Sequence, residues 1–200
     1  ARATPSRITR FFHGRLWRRL RAAGVARAAR VLDSGCGRGL LVDELRRRGV
    51  DAHGYDAYDP AFADRAILAA GYDAAIAQDV IEHVADPLAL LDQLGRLVRP
   101  GGRVAIGTPD GAAIDLAHPE RWRHTLHQPY HRHLVAHPAL LAAAAARGWA
   151  VVAHYRRPYT NTWVPTLNQP YLLRYLRAVD DTLDVAFEPP RFRWAMLSPA

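Results

Sequence analysis

Lysine is absent from this chain. All 27 of its Lys and Arg positions are arginine, set against 19 acidic residues for a formal net charge of +8. Together with an excess of alanine, this reads as a compositional bias. The arginines are spread along the chain apart from a cluster between Arg15 and Arg21, so the charge points away from nucleic acid and toward a solvated helix face. Cysteine is nearly absent too. With Cys36 alone no internal disulfide can form, and a reducing, cytoplasmic setting is the expectation. Long apolar runs are missing: the plain run of Leu140 to Ala146 falls far short of the ~18 residues of a membrane span. No secretory apolar core follows the basic N-terminus. What remains is a chain of 200 residues, 50% apolar, enough for one globular domain with a core of its own.

The hydrophobic pattern alternates between two periods. Ile8, Phe11, Phe12, Leu16 and Leu20 recur at helical spacing among arginines, predicting an amphipathic helix from Pro5 to Ala23 with Gly24 near its end. "RVLDS", Arg30 to Ser34, reads as a buried strand, followed by a helix from Gly39 to Arg48 with Leu40, Leu41 and Leu45 inward. "DAHGYD", Asp51 to Asp56, is the second strand, and the apolar run Ala74–Ala77 marks another, covered on both faces. Asp86 and Pro87 open a helix in which Leu88, Leu91, Leu94, Leu97 and Val98 are expected to face the core. "RPGG" is a turn by composition, "RVAIGTP" a strand, and Pro138 opens an alanine-rich helix ending near Gly148. "AVVAHYRRPY" and "RFRWAML" are expected to be strands, the latter the last in the chain. Strands alternating with helices, joined by right-handed crossovers, predict an α/β, doubly wound, mostly parallel sheet. No repeat or linker divides the chain, so a single domain over 1–200 is expected.

Ligands of such sheets bind beyond the carboxyl ends of the strands. That rule selects Asp33–Gly39, Asp56–Ala57, Gln78–His83 and Thr108–Asp110 as the rim. The stretch "VLDSGCGRGLL" carries Gly35, Gly37 and Gly39 at alternate positions. A dinucleotide turn would place its third glycine at position 40, where Leu40 stands, and a P-loop needs the lysine this chain lacks. A turn without side chains, letting a ligand lie against the backbone, is what remains. Asp56 can accept from the hydroxyls of a ribose, and Asp33 can meet an ammonium group. A ligand with a ribose and a cationic amino acid end, and no phosphate, fits these parts. The plainer reading, a glycine-rich helix start with Asp33 as a cap, accounts for the turn but not for Asp56.

These residues resemble the class I S-adenosylmethionine (SAM) dependent methyltransferases over about residues 28–155. "VLDSGCGRG" is similar to their first motif and "GYDAYDP" to the end of their second strand. "YDAAIAQDVIEHVADPLALLDQLGRLVRPGGRVAIGTPD" resembles the fourth through fifth strands of the small-molecule branch, which includes the ubiquinone-biosynthesis O-methyltransferases; "PYHRHLVAHPALLAAAAARGW" resembles the segment that follows. The resemblance implies a Rossmann-like sheet with an antiparallel last strand, abbreviated here between the second and fourth strands. It implies that Asp33, Gly35 and Gly37 line the methionine end of SAM, and that Ser34, Cys36 and Gly39 of the same turn belong to the cofactor site. Asp56 would bind the ribose, Ala57 would touch adenine, and Gln78, Asp79 and Val80 would wall the site. Residues 1–27 would form a lid helix, and 111–137 and 160–190 substrate-side insertions. The acidic or polar residue that follows the family's third strand and meets adenine has no clear counterpart in "DPAFADRAILAAG".

Methyl transfer is an in-line displacement with a neutral sulfide leaving, so aligning the acceptor and excluding water dominate. For a hydroxyl acceptor a histidine base suits neutral pH. The candidates are His83, His131 and His133, each weighed against a structural or packed histidine; Glu82 reads as a brace for its loop. His127 and His131 have the i, i+4 spacing of two metal ligands, but Pro129 lies between them and no third ligand follows a known pattern, so no metal is expected. The expected function is methyl transfer from SAM, leaving S-adenosylhomocysteine (SAH), to a small-molecule acceptor, a hydroxyl before an amine or carbon. The alternatives are a nicotinamide-dependent oxidoreductase, which Leu40 disfavours, a non-catalytic binding module, and a nucleic-acid methyltransferase, whose base-flipping motif is replaced by "QDVIEH". The sequence leaves the acceptor's identity and the oligomeric state open, a homodimer included.

Overall fold

The computed structural model describes residues 7–69, 71–122, 126 and 131–156. The chain divides into two units, residues 20–153 with the first three, and residues 4–19 with 154–200. Helix α1, Arg7–Ala22, bears the arginine-rich pattern as expected, with Phe12, Leu16, Trp17 and Leu20 buried. It closes at Gly24, whose φ of 92° lets its N–H return to the Arg21 carbonyl at 3.1 Å.

The larger unit is built on four strands: β1 (Arg30–Ser34), β2 (Asp51–Tyr55), β3 (Tyr72–Gln78) and β4 (Val98–Gly107). Their order is β2-β1-β3-β4 and every pairing is parallel. Helix α2 (Leu40–Arg47) links β1 to β2, and α3 (Pro87–Leu97) links β3 to β4. α4 (His137–Ala145) follows β4 after two short 3₁₀ turns. From β1 the chain steps to one side for β2 and then to the other for β3, so a crevice opens above the carboxyl ends of β1 and β3. Between β2 and β3 the described chain holds one 3₁₀ turn, Arg65–Ala69.

Sheet burial explains the apolar runs. Val31, Leu32, Ala74, Ala75 and Ala77 are fully enclosed, as strands covered on both faces require. Ala75, Ala77 and Ile81 pack with Leu90, Leu91 and Leu94 of α3, and Val104, Ile106, Leu140 and Trp149 close around them. The Asp86 carboxylate caps α3 by accepting from the N–H groups of Leu88 and Ala89, with Pro87 at the first helical position.

Several expectations are corrected or bounded. Leu88 does not face the core: it is 54% exposed, and Leu90 is buried in its place. A helix turns ~100° per residue, which sets Leu88 about 120° round from Leu94 and Leu90 only about 40°. Leu40 is only partly buried, with Val42 taking the inward position beside Leu41. The "RPGG" turn lies inside the span of β4: Tyr72 pairs with Val98 and Ala74 with Arg103, so the residues between loop out, with Gly101 at φ 76°. Residues 150–156 are not a strand; Val151 and Val152 are exposed, and a strand needs a ladder partner that none of the described residues supplies. The expected last strand, "RFRWAML", lies outside the described residues, as does the insertion 160–190, so among the described residues the sheet is wholly parallel.

Replacing Leu94 with alanine should cost about 2–4 kcal/mol in urea unfolding, because it opens a cavity under the sheet. Leu88→Ala should stay within about 0.5 kcal/mol. Equal costs would contradict the helix phase described here.

Candidate functional site

The carboxyl ends of β1, β2, β3 and β4 present Ser34, Tyr55, Gln78 and Gly107 to one rim. After Ser34 the chain turns sharply, and the turn is tied to β2 rather than to itself. The N–H groups of Gly35 and Cys36 both donate to the Tyr55 carbonyl, at 2.7 and 3.1 Å. The Gly37 N–H donates to Asp56 Oδ2 at 2.8 Å. The other oxygen of Asp56 accepts from the N–H groups of Tyr58, at 2.8 Å, and Asp59, at 3.2 Å. A carboxylate offers roughly four acceptor positions, so Asp56 holds the turn and its own loop and keeps about one position for a ligand.

Two of the glycines answer to close neighbours. A Cβ on Gly39 would collide with the Phe62 ring, and its φ is 76°; a Cβ on Gly35 would strike Val80. Val80 therefore lies against the start of the turn, and Phe62 fills the space beneath its end. Phe62 also approaches Gly54 and gives its carbonyl to the Asp56 N–H at 3.1 Å. Phe62 was not singled out from sequence; an aromatic in a loop gives no periodic signal. Gly107 has a similar role, since a Cβ there would overlap the Gln78 side chain.

Asp33 is buried beneath the turn at 4% exposure. Burial first, and the nearby charge of Asp56 second, push its carboxyl up to about 7. Burial also pushes the Cys36 thiol up to about 12, with Asp33 and Asp56 adding to the shift, so this cysteine stays a thiol and lines the turn without reactivity. Ala57 is exposed at the rim beside Asp56.

A second cluster forms where β3 ends. Asp79 has a φ of 53°, the only described non-glycine residue in the left-handed region, a conformation that marks functional rims often enough to note. Its N–H donates to the Gly107 carbonyl at 2.8 Å. Burial raises its pKa, and Gln78 and the two histidines His83 and His131 act against that rise.

Glu82 braces the region, as expected. It is 2% exposed. Its carbonyl accepts from the N–H groups of Arg132 and His133, at 2.7 and 3.1 Å, and its Oε2 accepts from the Thr108 hydroxyl at 3.0 Å. Its other oxygen, Oε1, is buried without a hydrogen-bond partner, and burial raises the pKa of the group. Glu82 thus pins residues 131–133 to the rim across a gap of sequence. The His83 and His131 rings meet edge to face with centroids 4.9 Å apart. The His133 ring turns inward, its Nε2 buried without a partner.

One ligand atom each from Glu82, His83 and His131 fall within 4.8 Å of one another. One carboxylate and two imidazoles can hold a divalent transition metal. The i, i+4 pair is not what makes this set: His127 lies outside the described residues, and the partners of His131 are Glu82 and His83. No sequence spacing joins these three; the Glu82 backbone does.

A four-stranded parallel sheet with a glycine turn between Asp33 and Asp56 is the arrangement that the resemblance to class I methyltransferases implies. The family model described as a methyltransferase domain matches residues 8–154, and the chain belongs to that family. Its curated relatives include the ubiquinone biosynthesis O-methyltransferase of Dinoroseobacter shibae, 33% identical over 50% of this chain and 49% of the relative. The enzyme of the same name from Aeromonas salmonicida is 35% identical over 40% of this chain and 42% of its own length. The chain thus matches about half the length of these relatives or less. Among solved structures, a SAM-dependent methyltransferase of Thermotoga maritima, titled a possible histamine N-methyltransferase, aligns over 72% of this chain and 81% of its own, with 17% identity and a TM-score of 0.41. No described helix is long and apolar enough to cross a membrane.

Asp33 keeps its proton up to about pH 7 in the folded chain, against an ordinary value of 3.8. The folded state therefore binds more protons than the unfolded one between those values, and stability falls as pH rises through that window. Asp33→Asn should raise stability by on the order of 1–4 kcal/mol at pH 8 and by little at pH 4, as read by urea unfolding at both. A gain of equal size at pH 4 would contradict the buried, ionising carboxyl.

Proposed function

We propose that the chain binds SAM across the rim and transfers its methyl group to a hydroxyl of a small-molecule acceptor. The observation that carries this reading is the pair of carboxylates on either side of the glycine turn: Asp33, buried and held up to about 7, and Asp56, fastened to the Gly37 N–H with an acceptor position to spare. The cationic amino end of the methionine moiety neutralises Asp33 and a ribose hydroxyl takes the open position on Asp56. Gln78, Asp79 and Val80 wall the cofactor beyond β3. In the reaction the acceptor oxygen bonds the methyl carbon as the carbon–sulfur bond breaks. The sulfonium becomes the neutral sulfide of SAH, and the acceptor proton passes to a base. His83 and His131, in mutual contact at the rim, are better placed for that proton than His133, whose free nitrogen is buried. The names of the curated relatives are consistent with a hydroxyl acceptor; a nitrogen or carbon acceptor would use the same cofactor site.

Calorimetric titration with SAM, SAH and NAD should give binding for the first two alone. Because the ammonium end favours ionised Asp33, SAH affinity should rise between pH 6 and 7.5. Asp56→Ala should weaken SAH at least about tenfold, since it loses a charged hydrogen bond and loosens the turn. Binding of NAD without SAM would refute the reading.

The convergence of Glu82, His83 and His131 favours a second role for the same cluster, in which a divalent cation takes the imidazoles as ligands and acidifies the acceptor hydroxyl itself. Cobalt(II) titration followed in the visible spectrum separates the two. Tetrahedral absorption that Glu82→Gln abolishes would assign the imidazoles to a cation; a flat spectrum would leave them as bases.

A further inference from the structure

We propose that the outer face of α1 docks the protein on an anionic phospholipid surface. The charge of this chain is segregated. Residues 1–32 hold nine arginines and no Asp or Glu, whereas the rest of the chain holds 18 arginines against all 19 acids. The whole positive balance therefore comes from α1 and the residues beside it. A bias that writes arginine in place of lysine accounts for the residue type, but not for 32 residues without an acid. The C-terminal residues do not offset this charge: the smaller unit, residues 4–19 with 154–200, carries 11 arginines against four acids.

The helix sorts its side chains by face. Phe12, Leu16 and Leu20 form the buried stripe, with Phe12 at 3% exposure. Phe11, Arg15 and Arg18 follow one another at i, i+4 and i+7, about 100–160° round from Leu16. Arg18 is exposed, and the Arg15 guanidinium lies over the Phe11 ring, 5.9 Å from its centroid. Phe11 itself stays 42% exposed on that stripe. Arg19 has another use, over the Tyr155 ring at 4.7 Å. An aromatic ring left bare among cations fits a surface with anions at its boundary and an apolar layer just beneath, which is what a bilayer of acidic lipids presents. Nucleic acid offers the phosphates without that layer, and α1 carries no Asn or Gln to read a base edge. A second copy of the chain would bring like charge to like. The docking role stands or falls apart from the SAM reading, since it uses no part of the rim.

The test is co-sedimentation of the full chain with vesicles of phosphatidylglycerol and phosphatidylcholine in equal parts, and with vesicles of phosphatidylcholine alone. Wild type should bind the anionic vesicles only, and sodium chloride at about 0.5 M should release it. Each arginine near such a surface contributes roughly a fivefold factor. Arg15→Gln combined with Arg18→Gln should therefore weaken binding at least about tenfold. The same two positions changed to lysine should stay within about threefold of wild type, which separates charge from folding. Arg65→Gln combined with Arg96→Gln, at two exposed arginines of the larger unit, alters the net charge equally and should bind as wild type does. Phe11→Ala should weaken binding at least about threefold. Equal binding to both kinds of vesicle, or to neither, would overturn the proposal, as would equal losses from the two glutamine pairs. A short RNA duplex bound by wild type where anionic vesicles are not would overturn the lipid assignment in favour of nucleic acid.

Discussion

The carboxylate of Asp56 is the joint on which the site depends. It sits one residue past β2, yet one oxygen holds the Gly37 N–H of the turn after β1, and the other holds the N–H groups of Tyr58 and Asp59. The Tyr55 carbonyl, just before it, takes the N–H groups of Gly35 and Cys36. The turn is therefore moulded against the end of the neighbouring strand and does not stand as a free loop. Backbone donors that would otherwise be left open at a sharp strand-to-helix turn are spent on β2. Because β1 and β2 are parallel and in register from Arg30 and Asp51 to Ser34 and Tyr55, the two strand ends arrive together. Without that register, Asp56 could not reach Gly37.

Beneath the joint lies a cost. Asp33 is a carboxylic acid enclosed by the sheet and close to a second carboxylate, and both facts favour its protonated form. A core that kept only stability in view would hold an apolar residue there. The retained acid makes sense as a group waiting for a cation, which connects the destabilised position to the ligand proposed for it. Glu82 repeats the theme on the other side of the crevice. Its carbonyl and one carboxylate oxygen tie the segment after Arg132 and the end of β4 to the β3 loop, while its second oxygen stays buried and unanswered. Two buried acids thus flank the crevice, Asp33 under the glycine turn and Glu82 beside the histidines.

Much of this was legible in the order of residues, for reasons of period. Strands buried on both faces read as apolar runs, and β1 and β3 could be placed from them. Asp86 and Pro87 announced the start of α3 because capping is a local matter of one side chain and the next two N–H groups. The inward face of α3 was read one stripe off: leucine stands at 88, 90, 91, 94 and 97, and composition alone does not choose between Leu88 and Leu90. The sheet chose, because only one phase of the helix lays its side chains on Ala75 and Ala77. Phe62 was invisible for a different reason. Its partners are the missing side chains of Gly39 and Gly54, and an absence in one segment cannot be matched to a ring in another without the fold.

The sequence by itself determined the class of the turn. Leu40 at the place of a third dinucleotide glycine, the lack of lysine, and Asp33 and Asp56 on either side are local facts that hold whatever the packing. It also determined which strand ends would form the rim, since alternation of strand and helix constrains a parallel sheet. The tertiary structure alone decided how those parts act together. It made Asp56, expected as a ligand group, a clamp on the turn, gave Asp33 its burial, and held the segment that carries His131 near His83 through the bonds of Arg132 and His133 to the Glu82 carbonyl. Each of these depends on distances between segments far apart in the chain, and such distances follow from sheet register and packing, which no window of sequence contains.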